Sequence, residues 1–341
     1  MGAHFFGLFS PTPSGASPVQ GVFVMVFPRK LAFVVLLVLL PLGQNLASGE
    51  IRAEKKGANS QPAETLTFSR KNPLVGDIAK QDLQMRMQLQ IEQGTKDKPG
   101  STIKINVENI QQRTIEVLDV RDNRPREVKV DYTISQSKRG EVGVPVHPKR
   151  FPVHGKTYRV ARVGEKLVIT DPEGNTPSTE EVAYIARSME MLGRENPLAN
   201  FLAGKKLRKG ESIDLPAEVA KNLFGLDKAL GEDVALRLTL NNILQLDGRI
   251  CGVFKATLMF KIRDSEPLGL RVEGQLWIEP TSCRPVAAHL LGPISMRIAA
   301  ETGQEAIKAF GSIQVAIRAE HSDATEHALA AKQKNKQNRV R

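Results

Sequence analysis

Ile250-Cys-Gly-Val-Phe-Lys-Ala-Thr-Leu-Met-Phe-Lys-Ile262 alternates apolar side chains with polar or small ones, as a strand with one buried face requires. The same two-residue period runs through Val234-Ala-Leu-Arg-Leu-Thr-Leu240, Leu270-Arg-Val-Glu-Gly-Gln-Leu-Trp-Ile278 and Ile313-Gln-Val-Ala-Ile317. These segments define a C-terminal antiparallel meander. A hairpin pairing Ile262 with Leu270 keeps every apolar position on one face and sets Cys251 opposite Thr281. Cys283 follows at the next turn, so the two cysteines are expected to form a disulfide, Cys251 to Cys283. A loop of this size would stabilise the fold by roughly 3–4 kcal/mol on the chain-entropy account. In the same register Trp277 faces Lys255 on the polar side of the sheet. That position suits either a cation–π contact or a ligand platform.

Upstream, Leu83-Gln-Met-Arg-Met-Gln-Leu-Gln-Ile91 is apolar at every odd position, a half-buried strand. Shorter strands are expected over 102–107, 114–120 and 128–134, with Arg121-Asp-Asn-Arg-Pro125 supplying turn chemistry between the last two. Residues 139–154 read as loop because Pro145, Pro148 and Pro152 oppose central-strand pairing. A hairpin over 157–170 follows. Two helices then interrupt the β pattern. Ser178-Thr-Glu-Glu181 is a capping box, Val182, Ile185, Met189 and Leu192 form the apolar stripe behind it, and Gly193 is the stop. A shorter helix is expected over 216–224. The fold class is α+β, mostly β: antiparallel meanders forming a curved or barrel-like sheet with one or two mid-chain helices. The β-rich domain spans 65–320, with its helical insert at about 178–225.

Residues 1–24 are Gly-, Pro- and Ser-containing and without period, and read as a non-functional extension. Met25 opens an export signal: Pro28-Arg29-Lys30 is the positive region, residues 31–42 the apolar core, and Ala47-Ser48-Gly49 the cleavage site. The alternative is an uncleaved anchor, for which twelve apolar residues are short of the ~18 a spanning helix needs. Residues 50–64 read as a linker, and the exported chain as periplasmic or extracellular.

Of the net charge of +11, five positive side chains and no negative one fall in the last ten residues. Residues 321–341 thus read as a basic, disordered tail capable of weak contact with an anionic surface. An exported chain without an aromatic-laced basic face is not expected to bind nucleic acid.

The chain has no Gly-x-Ser-x-Gly elbow, no phosphate-cradling Gly-Lys loop and no His-Glu-x-x-His helix. His147 and His154 flank the proline-rich loop without a visible third ligand. Asp171-Pro-Glu-Gly-Asn175 departs from a calcium loop in the place of its glycine, and reads as a turn. No metal, cofactor or catalytic residue is expected, and a hydrolase with a site assembled from distant residues ranks last.

The order of export signal, antiparallel strands, mid-chain helices and antiparallel strands resembles the bacterial lipoprotein-carrier architecture. That resemblance implies a strongly curved sheet wrapped around helices and an apolar cavity. Separately, Asn72-Pro-Leu-Val-Gly76, Leu192-Gly-Arg-Glu-Asn-Pro-Leu198 and Lys209-Gly-Glu-Ser-Ile-Asp-Leu215 are similar to phrases of an uncharacterised family of exported bacterial β-rich proteins. Fold likeness does not fix function. The expectation is a non-enzymatic exported protein that binds an apolar ligand or an envelope partner. Its candidate ligand-binding residues are Val182, Ile185, Met189, Leu192 and Trp277; the alternative is a structural envelope protein with a closed core.

Overall fold

The computed structural model describes residues 65–95, 98–224, 234–261, 269–298 and 307–324. The expectations for residues 1–64, and for the tail from residue 325 onward, lie outside them. The chain enters through β1 (Thr65–Thr67) and then builds a first meander. Its strands are β2 (Ile78–Thr95), β3 (Lys98–Arg121), β4 (Arg124–Glu141), the short β5 (Lys149–Arg150), β6 (Lys156–Val163) and β7 (Lys166–Thr170). The crossing segment holds α1 (Thr179–Ser188), α2 (Pro197–Leu202) and β8 (Lys206–Arg208), which pairs with β1 as a separate ribbon. Then come β9 (Ser212–Leu215), α3 (Ala217–Phe224) and the second meander: β10 (Val234–Leu246), β11 (Arg249–Lys261), β12 (Gly269–Glu279), β13 (Arg284–Ile298) and β14 (Ile307–Ser322).

The two meanders are one sheet. β14 lies antiparallel beside β2, from Ile307 opposite Gln93 to Ser322 opposite Ile78. The strand order is β7-β6-β4-β3-β2-β14-β13-β12-β11-β10-β9, with β5 on β4, and the sheet does not close because β7 and β9 are its opposite edges. The chain leaves at one edge and returns at the other, so residues 171–211 have to cross a face. The apolar face is the one they cross. Odd positions of β2 (Leu83, Met85, Met87, Leu89, Ile91) and even positions of β10 (Val234, Leu236, Leu238, Leu240) are buried. Arg86, Gln88, Ala235 and Arg237, between them, are exposed.

Gly274, Gly292 and Gly311 sit on this inner face in three adjacent strands. Gly274 pairs with Leu290 and Gly292 with Ile313, a stagger of two residues at each step. A Cβ at these positions would come within 1.9, 1.9 and 1.8 Å of the backbone oxygens of His289, Arg271 and Gln88. The missing side chains allow neighbouring backbones to close in and the sheet to bend toward its apolar face.

Two apolar clusters fill the concavity. The larger one joins β2, β9–β14 and the start of β3 to α2, α3 and the β1–β8 ribbon, with Phe68 and Phe254 ring centroids 6.2 Å apart. The smaller one joins the end of β3 to β4, β6, β7 and α1.

Three expectations change. The strands expected over 102–107 and 114–120 are one 24-residue strand, β3. The β11–β12 register is two residues from the expected one: Phe260 faces Leu270, Val253 faces Trp277, and Lys255 faces Gln275. A slip of two preserves every side chain's face, so the binary pattern fixes the parity and not the register. A further helix, α2, starts at Asn196, whose Oδ1 accepts from the Leu198 and Ala199 amides, with Pro197 in the first turn.

Gly292→Ala should lower the urea midpoint, at unchanged slope, by an amount equivalent to about 2 kcal/mol or more, because the clash is with backbone. An unchanged midpoint would mean the strands separate at little cost and the glycine does not hold the bend.

Candidate functional site

The two clusters meet at a cavity of about 380 Å³ between the crossing helices and the sheet. Its floor is apolar: Val117 from β3, Val128 from β4, Met189 and Leu192 from the turn after α1, Leu198 from α2 and Leu223 from α3. All of these are buried. Its rim is cationic. Arg70, Lys71, Arg113, Arg124, Arg194 and Arg284 line it, against a single carboxylate, Glu195. Asp323 pairs with Lys71, while Glu165 and Glu190 pair with Arg194 at 3.9 and 3.7 Å. Among the described residues the lining itself therefore carries more cations than carboxylates, and part of that charge is answered by Glu195, Asp323, Glu165 and Glu190.

The rim is built around Glu195. Its Oε1 accepts from Arg124 Nη2 at 2.6 Å and its Oε2 from Asn200 Nδ2 at 2.6 Å. Asn200 Oδ1 in turn accepts from Arg70 Nη1 at 3.0 Å. The Asn200 amide, and then Arg124, hold the Glu195 carboxyl below the usual carboxylate range.

One wall is fixed by Arg162. Its guanidinium is buried over the end of α1, where Nε donates to Leu192 O and Nη2 to Glu190 O at 2.5 Å. These carbonyls belong to the turn that follows α1. Gly193 has φ +73°, and a Cβ there would meet the Arg162 side chain at 2.8 Å. The helix ends five residues before the expected stop, with Met189 as its C-cap, and Gly193 instead makes room for the residue that clamps the cavity-lining turn.

A buried polar band runs beside the cavity. Asn109, Gln111 and Arg113 take successive inward positions of β3, and all three are buried. Arg113 Nε donates to Gln81 Oε1 at 2.7 Å, and Gln111 Nε2 donates to Tyr184 Oη at 2.7 Å. Tyr184 also bonds Ser135 Oγ at 2.9 Å, and Tyr132 bonds Ser188 at 2.6 Å. These bonds pin α1 to the sheet. Glu181 ends the band, with the capping box formed in full. It accepts from Lys156 Nζ at 2.5 Å, Tyr158 Oη at 2.8 Å and the Ser178 amide at 2.8 Å. The Lys156 contact, with those of Ser178 and Tyr158, lowers its pKa to about 2 despite burial.

Only two of the five expected ligand-binding residues reach the cavity. Met189 and Leu192 line it, whereas Ile185 is fully buried and Val182 half-buried in the core under α1. That stripe is packed core rather than an open groove. Trp277 is also buried, among Cys251, Val253, Val286 and Ala287, so the expectation of a tryptophan on an exposed polar face is corrected. Its side of β12 carries an apolar cluster that the polar Arg271, Glu273 and Gln275 had masked.

The expected disulfide is corrected as well. Both thiols are free, Cys251 in the Trp277 cluster and Cys283 in the large inner cluster. Cys283 has φ +53° in the β12–β13 turn and donates to Ser69 O at 3.1 Å. Cys251 donates to Arg249 O at 3.7 Å. Burial pushes the Cys251 thiol up to about 12 and the Cys283 thiol up to about 11.

His147 is exposed, while His154 Nδ1 accepts from the Ser135 amide at 3.0 Å. No group of three or more metal-ligating side chains occurs among the described residues. Asp171 accepts from the Asn175 amide and side chain, at 2.7 and 3.0 Å, as a turn. The rim arginines and Glu195 had no sequence signal beyond charge. They come together from β3–β4, the α1–α2 turn, the stretch before β2 and the start of β13.

No family model matches the chain, and no curated protein sequence does. Among solved structures, one titled for lipid–protein interactions in lipovitellin is 8% identical with a TM-score of 0.37. It covers 72% of this chain and 26% of its own, so the chain spans about a quarter of it. DynF, from the dynemicin biosynthesis pathway of Micromonospora chersina, is 9% identical over 82% of this chain and 93% of its own, with a TM-score of 0.17. A Pseudomonas aeruginosa FadL homologue is 8% identical over 72% and 90%, with a TM-score of 0.15. Likeness at this level is no guide to function.

Two outcomes check the site. Glu181 binds its proton less readily folded than unfolded, so the stability it contributes is present above pH ~4.5 and is lost as pH falls toward about 2. Glu181→Gln should cost about 1–2 kcal/mol at pH 7 and flatten acid denaturation in that window. An unaltered acid limb would contradict the network. Alkylation should label neither cysteine in the folded protein and both after denaturation without reductant; labelling of neither until reductant is added would restore the disulfide.

Proposed function

We propose that this chain is an exported, non-enzymatic protein that holds an apolar ligand in the cavity between its crossing helices and its sheet. The observation that carries the reading is the cavity itself, about 380 Å³ with a buried apolar floor. That volume lies toward the lower end of the ~300–1,000 Å³ range of small-molecule sites. The neighbouring packing is tight, with Ile185, Leu202 and Leu238 fully buried, so the gap is a local feature of the junction between the clusters. Export rests on the positive and apolar segments that follow Met25. The non-enzymatic part rests on the polar groups around the cavity being engaged structurally. Ser188 is bonded to Tyr132 and to Ile185 O, Arg113 to Gln81, and Glu195 to Arg124 and Asn200.

A second reading, an envelope interaction protein, draws on the two edge strands of the sheet, β7 and β9.

The test is native mass spectrometry of the protein from its own host with lipid extraction of the same sample, beside titration with the neutral fluorophore N-phenyl-1-naphthylamine. Stoichiometric binding is expected. Ala199→Phe, which fills the cavity from α2, should weaken it at least tenfold while the far-UV circular dichroism stays unchanged. A bare mass together with no probe binding would end the ligand reading, and an oligomer under those conditions would favour the second.

A further inference from the structure

We infer that the ligand class is a single-chain anionic amphiphile, its chain on the cavity floor and its carboxylate or phosphate head at the Arg70–Arg124 rim. The inference rests on the apolar-ligand reading and adds the head group to it. The two halves of the cavity differ in chemistry. Met189, Leu192, Leu198 and Leu223 offer nothing that hydrogen-bonds, whereas the rim carries an excess of positive charge. Covering that rim with a neutral head would take the Arg70 guanidinium, whose bond is to the neutral Asn200 amide, out of water without a directly bonded counter-charge, which is unfavourable; an anion compensates it.

Glu195 already marks the place. A carboxylate is seated there on Arg124 and on Asn200, which Arg70 steadies from its other side. The rim favours the ionised form of that carboxyl. Arg124 and Glu195 are both partly exposed, with side-chain exposures of 32% and 47%, so the pair is weak enough to exchange. A ligand anion entering from solvent would compete with Glu195 for Arg124 and share Arg70, as a charge-assisted and salt-sensitive contact. The volume equals that of roughly a dozen waters at ~30 Å³ each, room for one chain of moderate length rather than a multi-acyl lipid.

The experiment displaces N-phenyl-1-naphthylamine with decanoate, decyl phosphate or decan-1-ol, each below its aggregation limit, at low and high salt. Both anions are expected to bind at least tenfold more tightly than the alcohol, with the difference shrinking at high salt. The ratio between them names the head group. Arg124→Gln and Arg70→Gln should each cut the acid-to-alcohol affinity ratio about three- to tenfold. Glu195→Gln should raise it, which loss of folding cannot do. Lengthening the chain by one methylene should tighten binding about fourfold until the cavity is full. Equal affinities for acid and alcohol would overturn the anionic-head inference and leave the apolar-ligand reading standing. So would a ratio that Arg124→Gln and Arg70→Gln leave untouched. Failure of all three compounds and of the probe would overturn both.

Discussion

The β14–β2 ladder is the constraint from which the site follows. Joining the last strand of the second meander to the first strand of the first one makes a single sheet whose free edges, β7 and β9, are each reached from the crossing segment. A chain that leaves one edge and enters the other has to traverse a face, and burial of apolar area selects the inner one. The helices are therefore placed by connectivity before their own propensity matters. α2 has six residues and α3 eight, too short to be stable alone in water. α2 persists because Leu198 and Leu202 are buried against the sheet it crosses, and α3, which follows β9, because Val219 and Ala220 are buried in the same cluster.

The same crossing has to bridge two apolar clusters of different size, and the buried band on β3 lies between them. Asn109, Gln111 and Arg113 are costly to bury unless bonded. The bonds to Gln81 and Tyr184 offset that cost for Arg113 and Gln111 and tie β2, β3 and α1 into one arrangement, while Asn109 Oδ1 is buried without a hydrogen-bond partner among the described residues. Packing that is directional along the band and nondirectional on either side does not fill the junction evenly. The cavity opens where α1 ends and α2 begins, and its inner wall depends on the Arg162 clamp over Leu192.

How far the fold is legible in sequence depends on what each signal encodes. Alternation fixes the face of a strand, so β2, β10, β11 and β12 are readable, and the capping box at Ser178 and Glu181 is correct in full. Alternation does not encode a two-residue slip, nor the side a turn residue takes: Cys283 falls in the inner cluster and Cys251 in the Trp277 cluster on the other face. It also fails where inward positions are polar. Asn109, Gln111 and Arg113 make the middle of β3 read as a break, although the strand is continuous. Trp277 is the reverse case, a buried apolar position on the outer face, which its own strand otherwise lines with Arg271, Glu273 and Gln275. The cavity was half legible, because Met189 and Leu192 belong to the helix stripe. The rim was not, because residues 70, 124, 195 and 284 meet only once four separate segments are in place.

The contrast between floor and rim then has a single origin. Residues that line the cavity from within helices or strands inherit the apolar face those elements must bury: Leu198 and Leu223 in their helices, Val117 and Val128 in their strands. Residues that line it from turns and strand ends are bound by no such periodicity. The solvent-facing ends of elements favour charge, as at Arg70, Arg124, Arg194 and Arg284. A cavity at the end of a bent antiparallel sheet is amphipathic for that reason alone. What is particular to this chain is the sign of the rim: one lining carboxylate among six lining cations. That sign is what the proposed anionic head would meet at the mouth, whatever chain length the floor accepts.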